Sequence, residues 1–75
     1  MKLLIKKLDG KTETIDAKET DKIEKIKSFF ADKVGIKKEQ IRFVRKGVHL
    51  LDDKTLDFYR IESGDTIHMI LQLKG

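Results

Sequence analysis

Cysteine, proline and tryptophan are all absent from this chain of 75 residues. Without cysteine there is no disulfide and no thiolate metal site. Stability must therefore come from packing one small core. The same absence fits an intracellular chain, so the cytoplasm or nucleus is the expected location. The lack of proline is unusual for a natural domain with loops. No apolar run approaches the roughly 20 residues needed to span a bilayer, so no membrane partner is expected. Met1 to Ile5 offers too short an apolar stretch before Lys6 and Lys7 to act as a secretory leader. Histidine is scarce, and His49 and His68 fall in different segments, so no metal site is expected. No nucleophile–base spacing, phosphate-cradling glycine loop or paired acid motif appears. Neither catalysis nor a cofactor is expected. Asp52-Asp53 reads as a turn or helix anchor. A net charge of +4 comes from 17 basic and 13 acidic residues that are interleaved along the chain. That pattern gives a solvated mixed surface rather than a nucleic-acid patch.

What remains is a charged but foldable composition, 40% charged and 39% hydrophobic. The length allows a single domain, residues 1–75, which buries roughly 60% of its unfolded surface. Residues 1–8 alternate, with Met1, Leu3 and Ile5 on the inward parity. Asp9-Gly10 signals a tight hairpin, and residues 11–17 return with Ile15 and Ala17 inward. Glu13 shares that parity, so the return strand is weakly specified near the turn, and its charges suit an edge strand. Asp21 followed by Glu24 has capping-box spacing. Ile23, Ile26, Phe30 and Val34 then form one helical stripe, closed by Gly35. Phe29 lies about 120° off the stripe. Lys27 lies near it and must snorkel or find an acid. Ile41 and Phe43 point inward from the next strand, so Val44 points outward. Lys46-Gly47 turns the chain into a short strand, 48–50. A long polar connection, 51–64, is anchored by Leu56, Tyr59 and Ile61. The last strand places Ile67 and Met69 inward, His68 and Ile70 outward. One mixed sheet packed on one helix, an α+β arrangement, buries these stripes most economically.

The residues Leu8-x-Gly10-Lys11-Thr12, Asp21-x-Ile23-Glu24, Asp32-Lys33-x-Gly35-Ile36 and Gln40-x-Arg42 carry a resemblance along the whole chain, without a gap. It continues through Gly47, Leu50-x-Asp52, Thr55-Leu56-x-x-Tyr59-x-Ile61, Thr66-x-His68 and Leu71-x-Leu73-x-Gly75. Together they resemble ubiquitin and its close relatives, and Lys22 and Gly64 lean toward the Rub-type branch. The resemblance implies a β-grasp fold with the first and last strands parallel at the sheet centre. It implies that Lys27 pairs with Asp52 and that the Tyr59 hydroxyl ties down the long connection. It also implies a hydrophobic recognition patch of Leu8, Val44, His68 and Ile70, rimmed by Lys6, Arg42 and Lys46. Apolar side chains on a flat sheet face supply desolvation energy, and the rim cations supply steering. Ile36, Leu71 and Leu73 match a second patch, and Leu4 a third position.

The tail Gln72, Lys74 and Gly75 matches the region through which the family is conjugated. Conjugating members end in two glycines, and ubiquitin presents an arginine at the position of Gln72. Val48 and Ser63 stand where the two best-known chain-building lysines would be, and Phe29 replaces another. Lys6, Lys11 and Lys33 remain as candidate acceptors. The expected function is non-covalent protein recognition through the sheet-face patch, with covalent modification through the tail as a further role. A non-conjugated domain of a larger adaptor and an engineered variant of the fold are the alternatives. Expected partners are ubiquitin-type binding domains or conjugation-pathway enzymes, and a monomer is expected.

Overall fold

A computed structural model describes residues 1–72. Strands β1 (Lys2–Lys6) and β2 (Thr12–Asp16) form an antiparallel hairpin in which Leu3 pairs with Ile15 and Lys6 with Thr12. Gly10 takes φ +83° in the turn, where a side chain would be strained. The Lys11 N–H donates to Asp9 Oδ1 at 2.9 Å. The expected weakness at Glu13 is absent, because the ladder is continuous beside it. Glu13 forms ion pairs with Lys7, at 2.9 Å, and with Lys33 of the helix. An inward-facing charge here clamps the hairpin to the helix.

Helix α1 (Ile23–Val34) buries Ile23, Ile26, Lys27, Phe30 and Ala31. Two helix expectations are corrected. Asp21 is not the N-cap; Lys22 holds that position and makes no side-chain cap. The Asp21 carboxylate instead accepts from the Lys18 N–H at 2.9 Å. The long connection performs the capping: Ile23 N–H donates to the Lys54 carbonyl at 2.9 Å and Glu24 N–H to the Asp52 carbonyl at 3.2 Å. Carbonyls from a distant segment satisfy the orphan donors, so the local sequence motif is not used. Val34, placed on the buried stripe by its angle, is exposed. It is the last helical residue, and Gly35, at φ +76°, turns the chain away just beyond it. Gly35 N–H closes the helix on the Ala31 carbonyl at 2.9 Å, as expected of a left-handed C-terminal glycine.

After a short 3₁₀ turn at Lys38–Gln40, strands β3 (Ile41–Arg45) and β4 (Val48–His49) form a second hairpin. Lys46 and Gly47, with φ +51° and +79°, form its two-residue turn. Two positive φ values match the twist of the flanking strands. The connection that follows is held by fully buried Leu56. The Leu56 N–H donates to the Asp21 carbonyl at 3.0 Å, and the Leu51 N–H donates to the Tyr59 hydroxyl at 2.8 Å. Strand β5 (Thr66–Leu71) completes the sheet.

The strand order is β2-β1-β5-β3-β4. β1 and β5 run parallel and the remaining pairs antiparallel, so the expected central parallel pair is present. The core lies between this sheet and α1. Phe30 meets Phe43 edge-on at 6.2 Å, over Leu3, Ile5, Ile41, Ile67 and Met69. Each such buried side chain contributes on the order of 1.5–3 kcal/mol. Among the described residues one charged side chain enters this core: Lys27, whose ammonium meets the Asp52 carboxylate.

Candidate functional site

Because Leu3, Ile5, Ile41, Phe43, Ile67 and Met69 face the helix, the alternate residues of β1, β3 and β5 face water. Register then decides which of them meet. Lys6 pairs with His68, His68 with Val44, and Val44 with His49. One row thus runs across four strands as Lys6, His68, Val44, His49. On the adjoining row Ile70 pairs with Arg42. Leu8 lies in the first turn, two residues beyond Lys6 as Ile70 lies two beyond His68, and is 65% exposed. Ile70 is 38% exposed, while Val44 is half-buried among its neighbours. The strands therefore bring Val44, His68, Ile70 and Arg42 onto one surface, with Leu8 at its end. Lys6 and Lys46 are exposed at its margin.

The face is rigid because its strands are the middle of the sheet and its reverse side is the core. Its electrostatic frame is set beneath and beside it. Arg45, at the end of β3, is held to Asp65 at 2.9 Å and donates to the Tyr59 carbonyl at 3.3 Å. The Glu62 N–H bond, and after it the Arg45 guanidinium, hold the Asp65 carboxyl below its usual value. Arg45 is thus engaged with Asp65, and among the described residues the rim cations Lys6, Arg42 and Lys46 form no ion pair. An apolar centre with a cationic margin is suited to an apolar partner surface with acidic edges.

His49 was missed in the sequence reading, which separated the two histidines by element. The signal was available: a two-residue turn at Lys46-Gly47 forces Val44 opposite His49. Among the described residues no group of three histidine, cysteine or acidic side chains could hold a metal ion. Among the described residues no helix is long and apolar enough to cross a membrane.

The second group behaves differently. Ile36 and Leu71 are half-buried and pack against the edge of the core. The exposed Gln72 donates its N–H to the Gln40 carbonyl at 2.6 Å, holding the start of the tail beside the 3₁₀ turn. Leu73, Lys74 and Gly75 lie outside the described residues. Of the candidate acceptors, Lys6 and Lys11 are exposed, and Lys33 is drawn to Glu13. Leu4 is half-buried on the outward face of β1.

Comparison with known proteins completes the picture. The sequence profile of the ubiquitin family matches residues 3–74. The chain is 40% identical to "Ubiquitin-like protein NEDD8" of Dictyostelium discoideum over all of its own length and 97% of that protein. It is 37% identical to "NEDD8-like protein RUB3" of Arabidopsis thaliana, and 35% identical to "Ubiquitin-like protein 1" of Schizosaccharomyces pombe. Each of these matches covers the whole chain and 96% of the relative. With the β-grasp sheet, the buried Lys27 paired to Asp52 and this full-length similarity in hand, the chain belongs to the ubiquitin family, whose members are small protein modifiers rather than enzymes, and it sides with the NEDD8/Rub-type branch.

Proposed function

We propose that this protein is read by other proteins through the outward face of β1, β3 and β5, with Leu8, Val44, His68 and Ile70 as the contact and Lys6, Arg42 and Lys46 as the steering rim. The observation that carries this reading is the register. It gathers apolar residues from separate segments onto one solvent-facing surface of a small domain that has few to spare. Val44 has one methylene less than the isoleucine usual there. That lowers the expected affinity for ubiquitin's own partners by about 1 kcal/mol, or roughly fivefold. The test is titration with a panel of isolated ubiquitin-binding domains. Val44→Glu and Ile70→Glu should each reduce binding at least tenfold while the fold stays intact by circular dichroism. Unchanged affinity in both variants would show that the contact lies elsewhere.

The relatives' names favour attachment as well as recognition. We infer that the tail beginning at Gln72 is presented to a conjugation-pathway enzyme of the NEDD8 type. Gln72 carries no charge where ubiquitin offers an arginine, which disfavours the activating enzyme of ubiquitin itself. Incubating the native gene product with each activating enzyme and ATP, and scoring thioester formation, separates the two. Charging by neither enzyme would leave recognition as the sole function.

A further inference from the structure

The sheet ends at β4, and there its outward face runs into a pocket of about 360 Å³. Arg42, His49 and Leu51 line it together with Leu50, Lys27 and Asp52. Register explains why the first three converge. His49 pairs with Val44, and the Leu50 N–H donates to the Phe43 carbonyl at 2.9 Å, so the pairing continues past the short strand. Leu51 therefore follows opposite Arg42, and Arg42 and His49 are diagonal neighbours on the outward side of β3 and β4. Diagonal neighbours lie roughly 7–8 Å apart, close enough for a guanidinium and an imidazole to meet one group between them.

The charges of the pocket do not cancel. Its one acid among the described residues is Asp52, and the buried Lys27 ammonium neutralises that carboxylate. Arg42 forms no ion pair among the described residues. One positive charge is therefore in excess at neutral pH. His49 adds a second on protonation, because histidine is the side chain that gains its charge between about pH 5 and 8. Its other neighbours are cations or imidazole: Lys46 precedes it in the turn, and His68 lies beyond Val44 on β5. Arg45 is turned away, to Asp65 and the Tyr59 carbonyl.

An anion is the occupant that this balance favours. A guanidinium presents parallel N–H donors that match the two oxygens of a carboxylate, and a protonated imidazole adds another charged donor. Leu51, 55% exposed, offers an apolar wall to the methylene stem of an acidic side chain. The pocket also adjoins Val44 through the His49 pair, so an occupant there belongs to whatever covers the apolar face.

We propose that the Arg42–His49 pocket seats a glutamate side chain of a protein docked on the Val44 face, and that protonation of His49 tightens its hold. The inference rests on the Val44 face being the contact. It adds a fixed seat for one acidic residue and a dependence on pH. A glutamate in water keeps its charge down to about pH 4.3, so affinity rises as pH falls through the range in which His49 gains its proton.

The test uses the ¹⁵N-labelled whole chain and two blocked helical peptides with the same leucine–alanine stripe. One carries glutamates at its end, the other glutamines. At about pH 5.5 the glutamate peptide should bind at least fivefold more tightly, and should shift the side-chain signals of Arg42 and His49 together with the amides of Val44 and Ile70. Its affinity should fall at least threefold by about pH 7.5, while that of the glutamine peptide stays constant. His49→Gln should abolish the fall, and His68→Gln should leave it. Arg42→Gln should remove most of the preference for glutamate at both pH values. Shifts at Val44 and Ile70 that are equal for the two peptides would overturn the pocket and leave the face standing. Shifts at Arg42 and His49 alone would uphold the carboxylate seat and overturn the face. A fall in affinity that survives His49→Gln would overturn the role of that proton. No shift from either peptide at millimolar concentration would overturn both readings.

Discussion

Lys27 gives the sharpest test of how this small domain is held together. Its side chain is 3% exposed, while its partner Asp52 is 51% exposed. The pair is therefore asymmetric: the ammonium is taken out of water and the carboxylate is only half removed. Three substitutions separate the stem, the charge and the partner. Lys27→Ala deletes three buried methylenes at about 0.8 kcal/mol each and leaves a cavity, for a loss of about 3–4 kcal/mol. Lys27→Met keeps the stem and removes the charge, and the half-exposed Asp52 can be hydrated. Its cost should lie within about 1 kcal/mol of zero. Asp52→Asn strands the buried ammonium beside a neutral amide, at about 1–2 kcal/mol. In the Lys27→Met background the same Asp52→Asn change should cost close to nothing, because no ammonium remains. A domain of this length has a total stability of roughly 4–11 kcal/mol, so Lys27→Ala approaches the margin. Urea unfolding followed by far-ultraviolet circular dichroism reads these values as midpoint shifts at constant slope. If Lys27→Met proves as costly as Lys27→Ala, or Asp52→Asn costs the same in both backgrounds, the pair is not what holds the helix to the connection.

Other consequences can be measured in the same way. Lys46 sits at φ +51° without being glycine. Lys46→Asn, which tolerates that region, should add about 0.5–1 kcal/mol and raise Tm by roughly 2–8 °C; an unchanged or lower Tm would refute strain at this turn. Tyr59→Phe removes the acceptor of the Leu51 N–H and should cost about 0.5–1.5 kcal/mol, with faster exchange at the Leu51 amide. Glu13 is held below its usual 4.5 by the Lys33 and then the Lys7 hydrogen bond. Asp21 is held below its usual 3.8 by the Lys18 N–H, and Asp65 by the Glu62 N–H. These groups stabilise the fold above their unfolded values, and the contribution is lost as pH falls through the lower folded values. Lys7 and Lys38, raised above 10.5 by Glu13 and Glu24, contribute fully below that value and lose the contribution as pH rises through their folded values. Stability should thus be flat between about pH 5 and 9.5 and fall at both ends, with Asp65→Asn flattening the acidic limb.

Much of this architecture was legible because its signals are local. Period-two alternation marked Leu3, Ile5, Ile67 and Met69 as inward. Asp9-Gly10, Gly35 and Lys46-Gly47 punctuated the chain where positive φ is required. What was not legible depended on distant segments. The start of α1 is capped by the Lys54 and Asp52 carbonyls, some thirty residues away along the chain, so the Asp21–Glu24 spacing misled. Val34 has the angle of a core residue but lies beyond the cover that the core provides. Parity sent Val44, His68 and Ile70 outward, but only the resemblance suggested that they meet, and only the register shows it. The edge position of β2 and its nearness to α1 were invisible for the same reason.

The strand order carries a consequence for how the molecule comes into being. β5 is the middle strand of the sheet, yet it is the last strand along the chain. Until it arrives, the first hairpin and the second have no common neighbour, and the helix has only half a floor. Contacts between β1 and β5 join residues separated by most of the chain, and such closure is slow compared with forming a hairpin or helix. During synthesis the earlier segments must therefore wait, with Leu3, Ile5, Ile41 and Phe43 uncovered, until residues 66–71 are free to insert between them. The many lysines and acids around those strands then act as the solubilising coat of an unfinished protein, before they serve the finished one.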